Sequence, residues 1–282
     1  MEIFLAAEHA YHLVPQLSLE VARDRIEQKK VNLVVGTVGA IFSRPKPEEI
    51  QLAAVENRLE PFWLVAAFSR TVYDRARSYT VTTGGPEVTG VNILGQEVVL
   101  APQAKGAPTF TLVGTEHCVN ELRVQQTFDG MSGAKTDLLK YAQSSKTEIA
   151  DVNTFAPPGV LVVPPQVRAT AVVRQVTAEV VQPVQNAQVV SEERVDIETI
   201  DLNFRPVYAF EYEWAGKNKR MVIEMDAVTG EMRSGGKKWS DQIKGVVTRD
   251  FLFDVTADAV GMIIPGGSIA VKLVRAVVDR GK

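Results

Sequence analysis

Apolar residues near the N-terminus recur at helical spacing. Leu19, Ala22 and Ile26 share one face behind Ser18, a residue type that caps helix starts, so a helix is expected over Ser18–Lys30. Val31–Ile41 is apolar and β-branched, with Gly36 and Gly39 inside it, and reads as a buried strand or a helix–strand junction, with bends at the glycines. Ile50–Val72 is a longer extended stretch centred on Pro61-Phe62-Trp63. Ser78–Leu100 alternates and is broken by Gly84-Gly85-Pro86, Gly90 and Gly95, the pattern of short strands joined by tight turns. Thr109–Val113 and Glu121–Phe128 predict two more strands, Asp129–Ala134 a loop, and Lys135–Gln143 a short helix.

Polar residues 144–153 and the run Ala156-Pro157-Pro158-Gly159, with Pro164-Pro165 behind it, give the strongest linker signal. A linker at 154–165 separates a first unit, 1–153, from a second, 166–240, with a C-terminal segment at 241–282. In the second unit Val167–Val181 predicts a helix. Val195–Trp214 alternates as a strand, Gly216–Lys219 turns, and Arg220–Asp226 returns as the other arm of a hairpin. Phe251–Ile264 offers an apolar helical face through Leu252, Val255, Ala259, Val260 and Ile263. Pro265-Gly266-Gly267 ends it, and Ser268 caps a second helix, Ile269–Asp279, whose Lys272, Arg275 and Arg280 make a basic side.

The two units share a pattern. With Pro61 placed on Pro206, Ile50 falls on Val195, Leu52 on Ile197, Leu59 on Phe204 and Trp63 on Tyr208. Any two amphipathic strands share an apolar phase, but not a proline two residues ahead of an aromatic side chain. The fold class expected is therefore α+β, with two related helix-plus-antiparallel-sheet units and a C-terminal helical hairpin.

The second copy carries a family signature. Val207-Tyr-Ala-Phe-Glu-Tyr-Glu-Trp-Ala-Gly216, followed by Met221–Asp226 and Ala227-Val228-Thr229-Gly230, resembles the hairpin of PepSY-type domains over residues 207–232. The resemblance implies a helix packed on a small antiparallel sheet that ends in an Asp-Ala-x-Thr-Gly turn, and a binding or inhibitory role without catalysis. The first copy departs from it, having Gly84-Gly85-Pro86-Glu87 near the equivalent place.

Composition narrows the classes. A chain of 282 residues, 45% hydrophobic and 23% charged, has the make-up of an ordinary globular protein with room for two domains. A net charge of -3 gives no global attraction to nucleic acid or anionic membrane. The single cysteine, Cys118, excludes an intrachain disulfide framework and fits a reducing compartment. Met1–His9 lacks the basic and apolar regions of a signal peptide, and Ala257–Val278 is too interrupted to span a bilayer, so a cytoplasmic location is expected.

Candidate chemistry is sparse. His9 and His12 stand three apart, which on a helix puts both imidazoles on one face; with His117 and Cys118 they form a candidate zinc set for a metal-dependent hydrolase. No CxxC or HExxH spacing supports it, and otherwise no cofactor is expected. Cys118 beside His117 also invites a nucleophile–base reading, but neighbours on a strand point to opposite faces. Gly130-Met-Ser-Gly133-Ala-Lys135-Thr136 sits where a phosphate loop would, yet has Ala134 and Asp129 where that loop needs glycine. Lys217, Lys219 and Arg220 at the hairpin tip, with Lys237, Lys238 and Trp239, form a basic cluster beside Tyr212 and Trp214 that could meet nucleic acid. The interleaved Glu211, Glu213, Glu224, Asp226 and Glu231 cancel its charge.

The leading expectation is a non-enzymatic binding or assembly module in a homo-oligomer or multiprotein complex. Trp63 and Tyr208 are its candidate aromatic anchors. Ile263, Ile264 and Ile269 on the C-terminal helices, or a sheet edge, are the surface for a protein partner. Alanine and valine are small for lipid anchors, which favours protein over a membrane surface. Removing 251–282 is then expected to abolish association and spare the fold.

Overall fold

The computed structural model describes residues 1–36, 46–101, 105–236, 248–255 and 272–275. The chain begins with β1 (Glu2–Leu5), β2 (Glu8–Leu13), α1 (Leu19–Glu27) and α2 (Lys30–Val35). Next come β3 (Ile50–Thr82), β4 (Gly90–Ile93), β5 (Gln96–Val99), β6 (Thr109–Asp129), β7 (Lys135–Thr136), β8 (Lys146–Glu148) and β9 (Leu161–Val162). Then follow α3 (Ala169–Val180), β10 (Val189–Trp214), β11 (Lys219–Asp226), β12 (Met232–Ser234), α4 (Arg249–Leu252) and β13 (Lys272–Arg275).

The two long strands β3 and β10, of 33 and 26 residues, organise the rest. They pair antiparallel from Asp74–Val189 to Ile50–Trp214, with three register shifts that add twist. One mixed sheet of eleven strands is built on them, in the order β12-β11-β10-β3-β6-β7. The outer edge of β10 is occupied in turn by β1, β2 and β11; β13 lies outside β1, β8 outside β2, and β9 beside β3. β4 and β5 form a separate hairpin.

This corrects the expected α+β class of two units with a helical hairpin. The molecule is mostly β, and the segments aligned through Pro61 and Pro206 are adjacent strands of one sheet. Glu60 and Arg205, separated by the same 145 residues as the two prolines, face each other in register and form an ion pair at 2.6 Å. The stretch read as a linker contains β9, which pairs with Arg58 and Leu59. Val31–Val35, the start of a stretch read as a strand or a helix–strand junction, lies in the helix α2, and Lys135–Gln143, read as helix, holds β7 and a 3-10 turn at Leu139–Tyr141. At the C-terminus, Lys272–Arg275 is a strand parallel to β1, not part of a helix. Removing 251–282 therefore strips a strand from the sheet. Ile263, Ile264 and Ile269 lie outside the described residues.

Period-two burial places the core. Ile200, Leu202, Phe204, Tyr208, Phe210, Tyr212 and Trp214 share one alternation of β10 and are all buried. α3 covers one end of this face with Val172, Val173, Val176 and Val180, packed with Trp63, Val65 and Phe128. Each fully buried valine contributes roughly 1.5–3 kcal/mol of transfer free energy. α1 covers the other end: its N-cap Ser18 accepts from Val21 N at 3.2 Å, and Ala22 and Ile26 meet Tyr208, Phe210, Tyr212 and Trp214. The helix over the PepSY-like hairpin is thus α1, while the helix preceding it in sequence, α3, serves the other end. Among the described residues no helix is long and apolar enough to cross a membrane.

Candidate functional site

The opposite alternation of the sheet is charged. Arg205 faces Glu60; Val207 lies between Arg58 and Asp226; Ala209 lies between Glu56 and Glu224. The small residues on β10 leave room for Arg58 to reach across from β3 to Glu224 on β11. Arg58 is 0% exposed and also pairs with Glu60 at 2.7 Å and Glu56 at 3.4 Å. Arg233 of β12 reaches Glu224 and, at 3.6 Å, Glu60. Arg205 reaches Asp226 at 3.5 Å. Every carboxylate of this network meets at least one guanidinium, so the lattice stitches β3, β10, β11 and β12 together.

Asp226 also builds the turn after β11. Its Oδ1 accepts from Val228 N at 2.9 Å and Thr229 N at 2.8 Å, and Gly230 closes the turn at φ +75°, a conformation that favours glycine. Its Oδ2 accepts from the Tyr141 hydroxyl. Burial, and then the Asp226 carboxylate, push the Tyr141 phenol up to about 12, so it stays a donor at neutral pH. Beside the network opens a cleft of about 520 Å³, lined by Glu60, Asp129, Ser132, Arg205, Glu224 and Arg233 among others. Of its carboxylates, Glu60 and Glu224 are engaged by arginine and Asp129 accepts from Met131 N, Ser132 N and Ser132 Oγ–H, which suits them to locking strands and a loop rather than to moving protons. None of these residues was nominated from sequence, where Glu224 and Asp226 read as surface charge on a hairpin. The available signal was Glu56-x-Arg58-x-Glu60, alternating charges within an otherwise apolar run.

The residues that the sequence singles out fall elsewhere. Trp63 is fully buried, donates Nε1–H to Val167 O at 2.9 Å and meets Phe253 edge-on. Tyr208 is buried and donates to Leu17 O at 2.8 Å. Both are core, not surface anchors. His9 and His12 lie on strand β2, where a spacing of three turns them to opposite faces. His9 contacts Glu148 at 3.1 Å, and His12 stacks on Phe155. His117 faces Asp74 on the far side of β3, and the register puts it roughly 30 Å from His9. Cys118 is half-buried beside it. The candidate zinc set is therefore not brought together, and no cluster of three or more metal-ligating side chains occurs among the described residues. Lys219 Nζ donates to Val34 O at 3.1 Å, at the end of α2, and Arg220 pairs with Glu213 at 3.3 Å. Lys217 ends the 3-10 turn Ala215–Lys217, and Lys237, Lys238 and Trp239 are outside the described residues.

A second feature lies at the β6 edge of the sheet. β3 and β6 pair without a register shift from Phe62–Asp129 to Thr82–Thr109, whereas β10 ends its pairing at Asp74. Arg75–Thr82 and Thr109–Glu116 thus continue as a two-stranded ribbon about 27 Å long. Its side chains alternate: Val81, Tyr79, Phe110 and Leu112 lie half open on the face continuous with the core, and threonines, Val113 and His117 lie on the other. Glu116 braces it, accepting from Tyr79 Oη and Arg75 Nε, both at 2.7 Å, and these bonds hold its carboxyl below the usual range. The ribbon leads to the β4–β5 hairpin, whose turn residue Leu94 is wholly exposed at φ +50°. Among the described residues β6 has a strand partner on its outer side only at Thr127 and Phe128, so that edge is open from Thr109 to Gln126. No family model, curated protein or solved structure matches the chain.

Proposed function

We propose that this protein is a non-enzymatic assembly module that docks through the β3–β6 ribbon. The observation that carries the reading is the stretch of Arg75–Thr82 and Thr109–Glu116 past the last β10 partner, with the outer edge of β6 open from Thr109 to Gln126 among the described residues. A two-stranded ribbon is marginal in water, and stability comes with a third strand or a covered apolar face. Long edges are normally blunted by proline, charged side chains (lysine above all) or a bulge; Thr109–Gln126 contains no proline or lysine, its pairing with β3 shows no bulge, and its Glu116, Glu121 and Arg123 are engaged within the sheet by Arg75, Arg70 and Glu198. The arginine–carboxylate lattice and the helices on the core face supply a rigid base for such an arm. The PepSY-type resemblance of 207–232 supports a role in binding rather than in catalysis.

The test is an arm-shortened chain in which Arg77–Gly114 is replaced by Asn-Gly. Ala76 and Thr115 face each other in register, so the excision leaves a closed hairpin. The shortened chain is expected to keep its circular dichroism and thermal transition and to lose the associations of the full chain in native mass spectrometry. If it folds and retains all of them, the reading is wrong.

A further inference from the structure

We infer that the occupant of the open β6 edge is a second copy of this chain, paired antiparallel about a two-fold axis at His117. The inference rests on the assembly reading above and adds the partner and the register. The open edge runs from Thr109 to Gln126, so its midpoint falls between His117 and Cys118, and a register centred on His117 pairs Thr109 with Gln125 and uses all but its last residue. His117 faces Asp74, the residue at which β10 stops supporting β3. Pairing centred there lays the unsupported half of one β6, Thr109–Glu116, against the supported half of the other, Cys118–Gln125. Each ribbon gains the third strand it lacks, and a continuous sheet β10-β3-β6 joins its symmetry mate.

Side chains agree with this register. A dyad perpendicular to the sheet keeps each face on its own side, so the core-side residues of the two copies meet one another. Phe110 then faces Val124 of the second copy, and Leu112 faces Leu122; both are apolar cross-strand pairs. On the other face Thr111 meets Arg123, Val113 meets Glu121 and Thr115 meets Val119. No like charges stand directly opposite, and His117 meets its own copy at the axis. A shorter register centred on Leu122 pairs Glu121 with Arg123 but leaves both ribbons unsupported. Standard interfaces bury about 800 Å² per partner over 20–30 residues, or about 30–40 Å² per residue, so about 17 strand positions per copy give roughly 1,000–1,300 Å² in total, enough for a specific dimer.

The experiment places one thiol at the axis. His117→Cys in a Cys118→Ser background is compared with Val113→Cys in the same background, both in the full-length chain, with a short thiol–thiol cross-linker. His117 is 82% exposed and Val113 is 74% exposed, so neither change disturbs the core. The expected result is covalent dimer at position 117 and little at 113, whose side chain faces Glu121 of the second copy, with the uncross-linked Cys118→Ser chain sedimenting at twice the chain mass. Equal cross-linking at both positions overturns the register. A monomeric mass with no dimer at 117 overturns self-pairing altogether, and the assembly reading then stands or falls separately, on whether the arm-shortened chain keeps its other associations.

Discussion

Arg58 offers the sharpest test of how the sheet is held. Its guanidinium is fully buried between Glu56, Glu60 and Glu224, so Arg58→Met removes the cation and leaves three carboxylates facing an apolar side chain. Removing one partner of a buried ion pair costs about 3–5 kcal/mol, because a desolvated charge loses its counter-charge. The lower end is expected, since Glu60 keeps Arg205 at 2.6 Å and Glu224 keeps Arg233. Glu224→Gln alone should also destabilise, by leaving part of two guanidinium charges uncompensated. In the double variant the uncompensated charges are fewer, so its loss should fall short of the sum by about 1–2 kcal/mol, within the range seen for residues in contact. Urea denaturation of the four proteins at neutral pH, followed by circular dichroism, measures the cycle. A loss below about 1 kcal/mol for Arg58→Met, typical of a solvated pair, would refute the reasoning. So would strict additivity.

Three further outcomes follow from the geometry. Trp63→Ala should cost about 3–5 kcal/mol in the same urea assay, as expected for a buried aromatic side chain and unlike a surface anchor. Tyr141 is about 2% exposed and its folded pKa, about 12, lies above the ordinary phenol value, so its contribution is complete below about pH 10 and is lost as pH rises towards 12. The full loss is about 2–3 kcal/mol at 1.36 kcal/mol per unit, and Tyr141→Phe should show a correspondingly shallower fall in stability over that window. Leu94→Asn creates an Asn-Gly turn at a position that already has φ +50°, and should slow amide exchange across β4 and β5 by relieving about 1 kcal/mol of left-handed strain.

Local elements were legible where local chemistry decides them. Ser18 and the Leu19, Ala22, Ile26 spacing predict α1; Val167–Val181 reads as a helix despite its β-branched valines, and α3 spans Ala169–Val180; the hairpin of Val195–Trp214 and Arg220–Asp226 is observed as β10 from Val189 and β11 from Lys219. Long strands were not legible as units. Glycine and charge divide β6 into two apparent strands, although Gly114 pairs with Arg77 without interrupting the ladder. Short apolar runs are ambiguous between helix and strand: Val31–Val35, where a strand and a helix–strand junction are both readable, is helix, and Lys272–Arg275, which reads as helix, is strand. The second of these is decided by pairing with β1 at the opposite end of the chain, which no local pattern carries. The ionic lattice was hidden for a related reason. Alternating charge on a strand reads as a solvated face, and the partners that Arg58 and Glu60 meet across the sheet, Arg205, Glu224 and Arg233, lie remote from them in sequence. The histidine set failed because a spacing of three gathers ligands only on a helix, and His9 and His12 are on a strand.

Hydrogen exchange along β6 tests the central claim most directly. In dilute solution the outward-facing amides of Thr109–Gln125 should exchange as an open edge, faster than those of β10, which has partners on both sides. On concentrating the full-length chain, protection should rise across Thr109–Gln125 and stay constant in β11 and β12. Exchange over Thr109–Gln125 that is independent of concentration, or protection that rises only elsewhere, would contradict an account in which copies of this protein join through the β6 edge.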